Sequence, residues 1–195
     1  GTTRHVEQAI ISAGDEAVLT LYDTPGLEDS RALSAHIKKL SAKSKTLSAL
    51  QILQQFVAQA TVNDPLEQEA KVIRQVLRSD ILLYIIDVRE PFLEKYRLEL
   101  EILTQAGKPV IPVFNFIAGH DSALAKWREH LAVFHMHATL EFDTVAFSFE
   151  AEKRLYQKMQ TLVETHYDRL QKLTDYRAKL WNQLCLSGAK RVAEL

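Results

Sequence analysis

Apolar residues, many of them β-branched or aromatic, recur through two strand-like runs, residues 6–13 and 16–22, which Gly14-Asp15 joins. The pattern predicts a β-hairpin, because two such runs separated by a Gly-Asp pair suit strands joined by a tight turn. Two later runs are apolar almost throughout: residues 81–86, which close on Asp87, and residues 110–114, which close on Asn115. Continuous apolar runs of that length suit strands buried on both faces. Between them, residues 92–106 repeat their apolar positions at helical spacing and stop before Gly107 and Pro109. A helix therefore joins the two strands, which predicts parallel pairing. A helix over 122–134 and a strand over 138–147 continue the alternation.

Residues 28–79 hold no strand-like run and read as two or three helices inserted after the hairpin. Asp64-Pro65-Leu66-Glu67 predicts one helix start, with Asp64 as cap, Pro65 in the first position and Glu67 completing a capping box. Leu47, Leu50, Leu53 and Val57 mark a second amphipathic face that must pack on the domain or on a partner. From Phe149 onward, Leu155, Met159, Leu162, His166, Leu170, Leu173, Tyr176, Leu180 and Leu184 form a seam at three- and four-residue steps. The seam fits one helix of roughly 40 residues, well beyond the usual length of about 11 to 12, or two helices broken near Thr174-Asp175.

Composition narrows the class. With 195 residues, 47% of them hydrophobic, the chain can bury a sizeable core and is not a disordered chain. Its 24 basic and 25 acidic residues give a net charge of −1, so no global field points to nucleic acid or an anionic membrane. The single Cys185 rules out an internal disulfide and fits a reducing compartment. No apolar run approaches the roughly 18 to 20 residues of a membrane span, and the start reads as the middle of a domain instead of a signal peptide.

Candidate chemistry gathers at strand ends. Asp23-Thr24-Pro25-Gly26 directly follows the second strand of the hairpin. An aspartate at a strand's carboxyl end can hold hydrated Mg²⁺, and a glycine three residues on lets a backbone N–H approach a terminal phosphate. An ordinary Pro-Gly turn explains the tetrapeptide equally well. Asp23, Asp87 and Asn115 all occupy the edge where open parallel sheets bind ligands. His130, His135 and His137 lie close together but have no matching second cluster, so surface and core positions explain them better than zinc. Asp87 and Glu90 have no partner nucleophile, and a turn before Pro91 accounts for them.

Gly1-Thr2-Thr3-Arg4-His5, the hairpin, and then Tyr22-Asp23-Thr24-Pro25-Gly26-Leu27-Glu28-Asp29 resemble the bacterial GTPases related to TrmE, Era and EngA, which carry a Thr-Arg-Asp or Thr-Arg-His first switch. The similarity covers about residues 1–165, and the insertion after the second switch together with Asp87-Val88-Arg89-Glu90-Pro91 suggests an uncharacterised group. The resemblance implies that Thr3 senses water and Mg²⁺, that Asp23 holds Mg²⁺, and that Thr24, Gly26, Asn115, Phe116 and Ser148 contact GTP or GDP. Three departures accompany it. No Gly-x-x-x-x-Gly-Lys-Ser/Thr phosphate loop occurs; the family places it upstream of the first switch, and a chain that starts after that point is the favoured explanation. Asn115-Phe116-Ile117-Ala118 stands for Asn-Lys-x-Asp, which puts guanine selectivity in doubt, and Ser148-Phe149 also reads as a plain helix cap. Leu27 cannot orient water, so hydrolysis without a partner should be slow, on the order of 10⁻⁴ to 10⁻² per second.

The expected fold is α/β: a P-loop NTPase-like three-layer GTPase fold lacking its first strand and phosphate loop, with a helical insertion and C-terminal helices. Residues 1–165 would form the incomplete GTPase domain, 27–79 its insertion, and 166–195 a helical extension. The expected function is Mg²⁺-dependent GTP hydrolysis acting as a switch, with weak or no binding as supplied. The alternative is a degenerate module that binds a protein or membrane-associated partner through its helices. An effector or activator protein is the expected partner. The expected location is the cytoplasm, with peripheral attachment to the inner membrane as an option.

Overall fold

A computed structural model of the chain describes residues 6–62, 64–142 and 148–193. Strands β1 (Glu7–Ala13) and β2 (Glu16–Asp23) form the expected antiparallel hairpin, Ala13 facing Glu16 across the turn. Gly14 takes φ +66°, a conformation that favours glycine, and so closes a two-residue turn. Three helices follow: α1 (Ser30–Lys43), α2 (Ala49–Gln59) and α3 (Glu67–Arg78). Then come β3 (Leu82–Asp87), α4 (Glu94–Thr104), β4 (Val110–Asn115), α5 (Asp121–Val133) and β5 (Leu140–Glu141). Helix α6 (Phe149–Leu162), a 3-10 turn (Glu164–His166) and α7 (Tyr167–Ala193) complete the order.

Among the described residues the strands form two sheets, the hairpin β1-β2 and a parallel sheet in the order β3-β4-β5. Leu82 pairs with Val110 and Asp87 with Asn115, so both polar strand ends lie side by side. Side chains alternate between the faces. Leu82, Ile86 and Phe114 pack toward α1–α5, while Leu83, Ile111 and Val113 join Met159, Leu170 and Leu173 of α6 and α7. Val18 and Leu19 of the hairpin pack into that second cluster, so one helical layer backs both sheets. The result is the three-layer α/β arrangement the apolar runs predict.

Several local expectations change. The strand over 138–147 contributes only Leu140–Glu141 to the sheet, and residues 143–147 lie outside those described. Helix α3 starts at Glu67 instead of Pro65, because Asp64 Oδ1 accepts the Leu66 N–H at 2.9 Å in a turn that precedes it. Helix α2 buries Ile52, Leu53 and Phe56 between α1 and α3 and leaves Leu50 exposed, as is Leu47 in the turn before it. Its start is a true capping box: Ser48 Oγ accepts the Gln51 N–H at 3.2 Å, and Gln51 Oε1 accepts the Ser48 N–H at 2.8 Å. The C-terminal seam breaks at 163–166, not near Thr174-Asp175. Thr174 Oγ1 donates to the Leu170 carbonyl at 2.9 Å and Asp175 Oδ1 accepts from Gln171 Nε2 at 2.9 Å, so both side chains are satisfied along one continuous helix and Asp175 caps no second one.

Candidate functional site

Asp23 ends β2 and is exposed, Thr24 is half-buried, Pro25 is buried and Gly26 is exposed again. Pro25 anchors the segment while the residues on either side stay open. Gly26 has an ordinary φ, and a Cβ there would meet no atom within 4 Å. Nothing in the described chain therefore demands glycine, so the requirement, if there is one, comes from a ligand that approaches the backbone. Leu27 turns inward against the cluster built by α1–α4, which removes it from any water-handling role.

Beyond Leu27 the chain is pinned to other elements. Asp29 caps α1, its Oδ1 accepting the Ala32 N–H at 2.8 Å, and donates its own N–H to Glu69 Oε1 of α3 at 2.9 Å. Glu69 is 3% exposed. Arg31 pairs with Glu94 at 2.6 Å, and Ser30 Oγ donates to the Lys95 carbonyl at 3.4 Å. The Asp23–Gly26 segment thus runs from a strand end into a helix tied to α3 and α4. Sequence reading missed Glu69. Its sign was a carboxylate on the apolar stripe of α3, three and four residues before Val72 and Ile73.

Asp23, Thr24, Pro25 and Gly26 also line a groove of about 860 Å³ bounded by β2 and β3. Val76, Leu103, Met159 and Leu170 cover it from helices of both layers. Tyr84 Oη donates to Glu99 Oε2 at 2.6 Å on its wall. Burial, then the neighbouring Glu99 carboxylate, pushes the Tyr84 hydroxyl above its ordinary range. Burial likewise raises the Glu99 carboxyl, against the lowering effects of the Tyr84 hydrogen bond and Lys95.

A second constellation stands at the ends of β3 and β4. The Arg89 guanidinium forks onto Asp87, Nε to Oδ1 at 2.9 Å and Nη2 to Oδ2 at 2.6 Å, and lies 3.9 Å above the Phe116 ring. The hydrogen bond from Arg89 holds the Asp87 carboxyl below its ordinary value, with a smaller contribution from His120. Phe116 takes φ +57°, and its N–H donates to Asn115 Oδ1 at 2.9 Å. Trp127 Nε1 donates to the Glu90 carbonyl at 2.9 Å, and Phe92 stacks on His130 with centroids 4.0 Å apart, which gives the segment after Asp87 a packing role.

The site residues read from sequence fall into these groups. Asp23, Thr24 and Gly26 share the groove; Asn115 and Phe116 stand with Asp87 and Arg89. Ser148 caps α6, its Oγ accepting the Ala151 N–H at 3.2 Å. Thr3 lies outside the described residues. Among the described residues no three His, Cys, Asp or Glu side chains cluster as metal ligands, and no helix is long and apolar enough to cross a membrane.

Residues 1–116 match the family described as 50S ribosome-binding GTPase, and residues 128–195 match a domain of unknown function (DUF3482). No curated protein and no solved structure matches the chain.

Proposed function

Because the chain belongs to the 50S ribosome-binding GTPase family, and so binds guanine nucleotide, we propose that it is a Mg²⁺-dependent GTP switch of the TrmE-Era-EngA kind. The observation that carries the reading is the Asp23–Gly26 segment, open at Asp23 and Gly26, lining a groove and continuing into a helix tied to α3 and α4. Asp23 and Thr3 would hold Mg²⁺, and Gly26 would offer its N–H to the terminal phosphate with Thr24 beside it. Asn115, Phe116 and Ser148 would face the base. Bound Mg²⁺ supplies charge neutralisation on the phosphates. The open Cβ position at Gly26 and the exposed Asp23 fit that arrangement.

The phosphate cradle is not among these residues. The groove supports a strand-borne cradle: two strand edges bound it and helices cover it on both faces, which are the surroundings of a buried central strand. We assign that strand and its phosphate loop to sequence upstream of Thr3. Residues 1–165 would then act as the GTPase unit, 27–79 as the insertion that receives the signal through Asp29 and Glu69, and 166–195 as a helical extension. With Leu27 packed inward, the attacking water would be positioned by a group from elsewhere in the protein, by a monovalent cation or by a partner. The ribosome named in the family's description would be one candidate for such a partner and an effector or activator protein another, with the protein itself placed in the cytoplasm or attached peripherally to the inner membrane.

A second reading rests on the Phe116 and Ala118 substitutions and on the exposed Trp181, Leu184 and Leu186 of α7: a degenerate GTPase fold that binds a partner through its helices. Calorimetric titration of the whole protein with GTP and GDP, with and without Mg²⁺, separates the two. The switch predicts Mg²⁺-dependent GTP binding that weakens at least about tenfold in Asp23→Ala, while GDP without Mg²⁺ binds as before. A protein that binds no nucleotide under either condition sinks it.

A further inference from the structure

We propose that the carboxyl half of α1, the turn after it and the first turn of α2 form a docking surface for anionic lipid, with Lys38, Lys39, Lys43 and Lys45 at the headgroups and Leu47 and Leu50 entering the headgroup boundary. The inference rests on the peripheral attachment proposed above and supplies its surface and its lipid class. The near-zero net charge conceals an uneven distribution. Residues 30–63 hold five basic residues and no acidic one, whereas the remainder holds 19 basic against 25 acidic residues. The insertion is therefore a cationic region on a net negative body. Arg31 is paired with Glu94 at 2.6 Å, but Lys38, Lys39, Lys43 and Lys45 are exposed and, among the described residues, have no ion pair.

Packing explains why these charges are displayed. Helix α1 buries Leu33, Ile37 and Leu40 in the cluster it shares with α2, α3 and α4, which turns Lys38, Lys39 and Lys43 outward. Helix α2 has no charged residue, and its exposed positions are alanine, leucine and glutamine, so it presents no carboxylate to repel an anion. Complementing the carboxyl end of the α1 dipole accounts for Lys43 alone.

The residue types choose among anionic partners. Sequence-tolerant or specific RNA binding stacks bases on aromatic rings or arginine planes, and residues 38–50 contain neither. Leu47 and Leu50 are 36% and 37% exposed within a few residues of Lys43 and Lys45. A phosphate backbone in water gives such leucines nothing, while the boundary between headgroups and acyl chains rewards them. Lysine heads on flexible apolar stems suit that boundary, since the stem can lie along it with the charge at the headgroups. None of these residues lines the groove that holds Asp23 and Gly26, so lipid and nucleotide would take separate surfaces.

The test is sedimentation of the whole protein with vesicles of phosphatidylcholine alone and with vesicles that are about one-quarter phosphatidylglycerol, at low and at raised salt. The wild type should bind the anionic vesicles at least about tenfold more tightly than the neutral ones, and raised salt should weaken that binding. Lys38→Gln, Lys39→Gln, Lys43→Gln and Lys45→Gln together should cost about tenfold or more, while Lys38→Arg, Lys39→Arg, Lys43→Arg and Lys45→Arg together should keep the affinity, which separates lost charge from lost fold. Leu47→Ser with Leu50→Ser should weaken binding about threefold or more and leave its salt dependence in place. Equal binding to neutral and anionic vesicles, or a glutamine variant that binds like the wild type, overturns this surface while leaving peripheral attachment standing. Tighter binding of the wild type to an RNA duplex than to the anionic vesicles, lost in the glutamine variant, assigns the lysines to RNA and overturns it as well. A wild type that binds neither kind of vesicle removes peripheral attachment and this inference together.

Discussion

Glu99 shows how one buried carboxyl writes a pH dependence into this fold. Burial raises it above its ordinary value of 4.5, and the Tyr84 hydroxyl and Lys95 only partly offset that. The folded protein therefore holds the Glu99 proton more tightly than the unfolded chain does. The stability this gives is fully present below about pH 4.5 and is lost as pH rises through the folded value. Glu99→Gln keeps an acceptor for Tyr84 and cannot ionise. Its thermal midpoint should exceed the wild type's at pH 7 and converge on it toward pH 4; an equal gap at both pH values would contradict the assignment. The Arg89 guanidinium belongs to a different class, since it is largely open to solvent and lies over the Phe116 ring.

Helices α6 and α7 form a hairpin clamped by one polar triad. Arg177 of α7 donates to Glu152 of α6 through Nε at 2.8 Å and Nη2 at 3.1 Å, and Tyr156 Oη donates to Glu152 Oε1 at 2.7 Å. Glu152 is 8% exposed, so removing the arginine leaves a nearly buried carboxylate with only a phenol to satisfy it. Arg177→Ala should cost about 2 kcal/mol in urea unfolding, discounted for the partly exposed guanidinium, and should leave the α1–α3 insertion intact by hydrogen exchange. The insertion packs in an apolar cluster of Leu33, Ile37, Ile52, Leu53, Phe56 and Ile73 that it shares with Leu82, Ile102 and Leu103 of β3 and α4 and with no residue of α6 or α7, which is why the two helical regions should respond separately.

At the scale of the molecule, one helical layer backs two sheets that, among the described residues, are not paired with each other. Arg169 Nη2 of α7 reaches the Ala17 carbonyl at 3.0 Å and Lys172 pairs with Glu16, so α7 is what carries the hairpin on the body of the protein. Strand β4 is paired on both sides, by β3 and β5, whereas β2 and β3 each have one paired edge and border the groove. Hydrogen exchange should therefore find the β4 segment slowest and β2 markedly faster. Equal protection of β2 and β4 would mean that the groove is closed in solution.

The amino-acid sequence alone determined whatever depends on neighbours a few residues apart. Gly14 can hold a left-handed turn, so the hairpin was legible; the continuous apolar runs before Asp87 and Asn115 suit strands, so the parallel pair was too, although Ile85 on β3 is 60% exposed where burial on both faces was expected; and Asp23 to Gly26 are covalently adjacent, so the tetrapeptide needed no fold to be seen. The tertiary structure decided what depends on which surfaces meet. Glu69 holds an N–H 40 residues away, Arg89 settles on a ring that follows the next strand, and Thr174 turns its hydroxyl onto its own helix where a break was one of two expectations. Local spacing specifies the face an element presents, but a buried polar group must find its partner among whatever packing brings within about 3 Å, and that choice is made by the assembled fold.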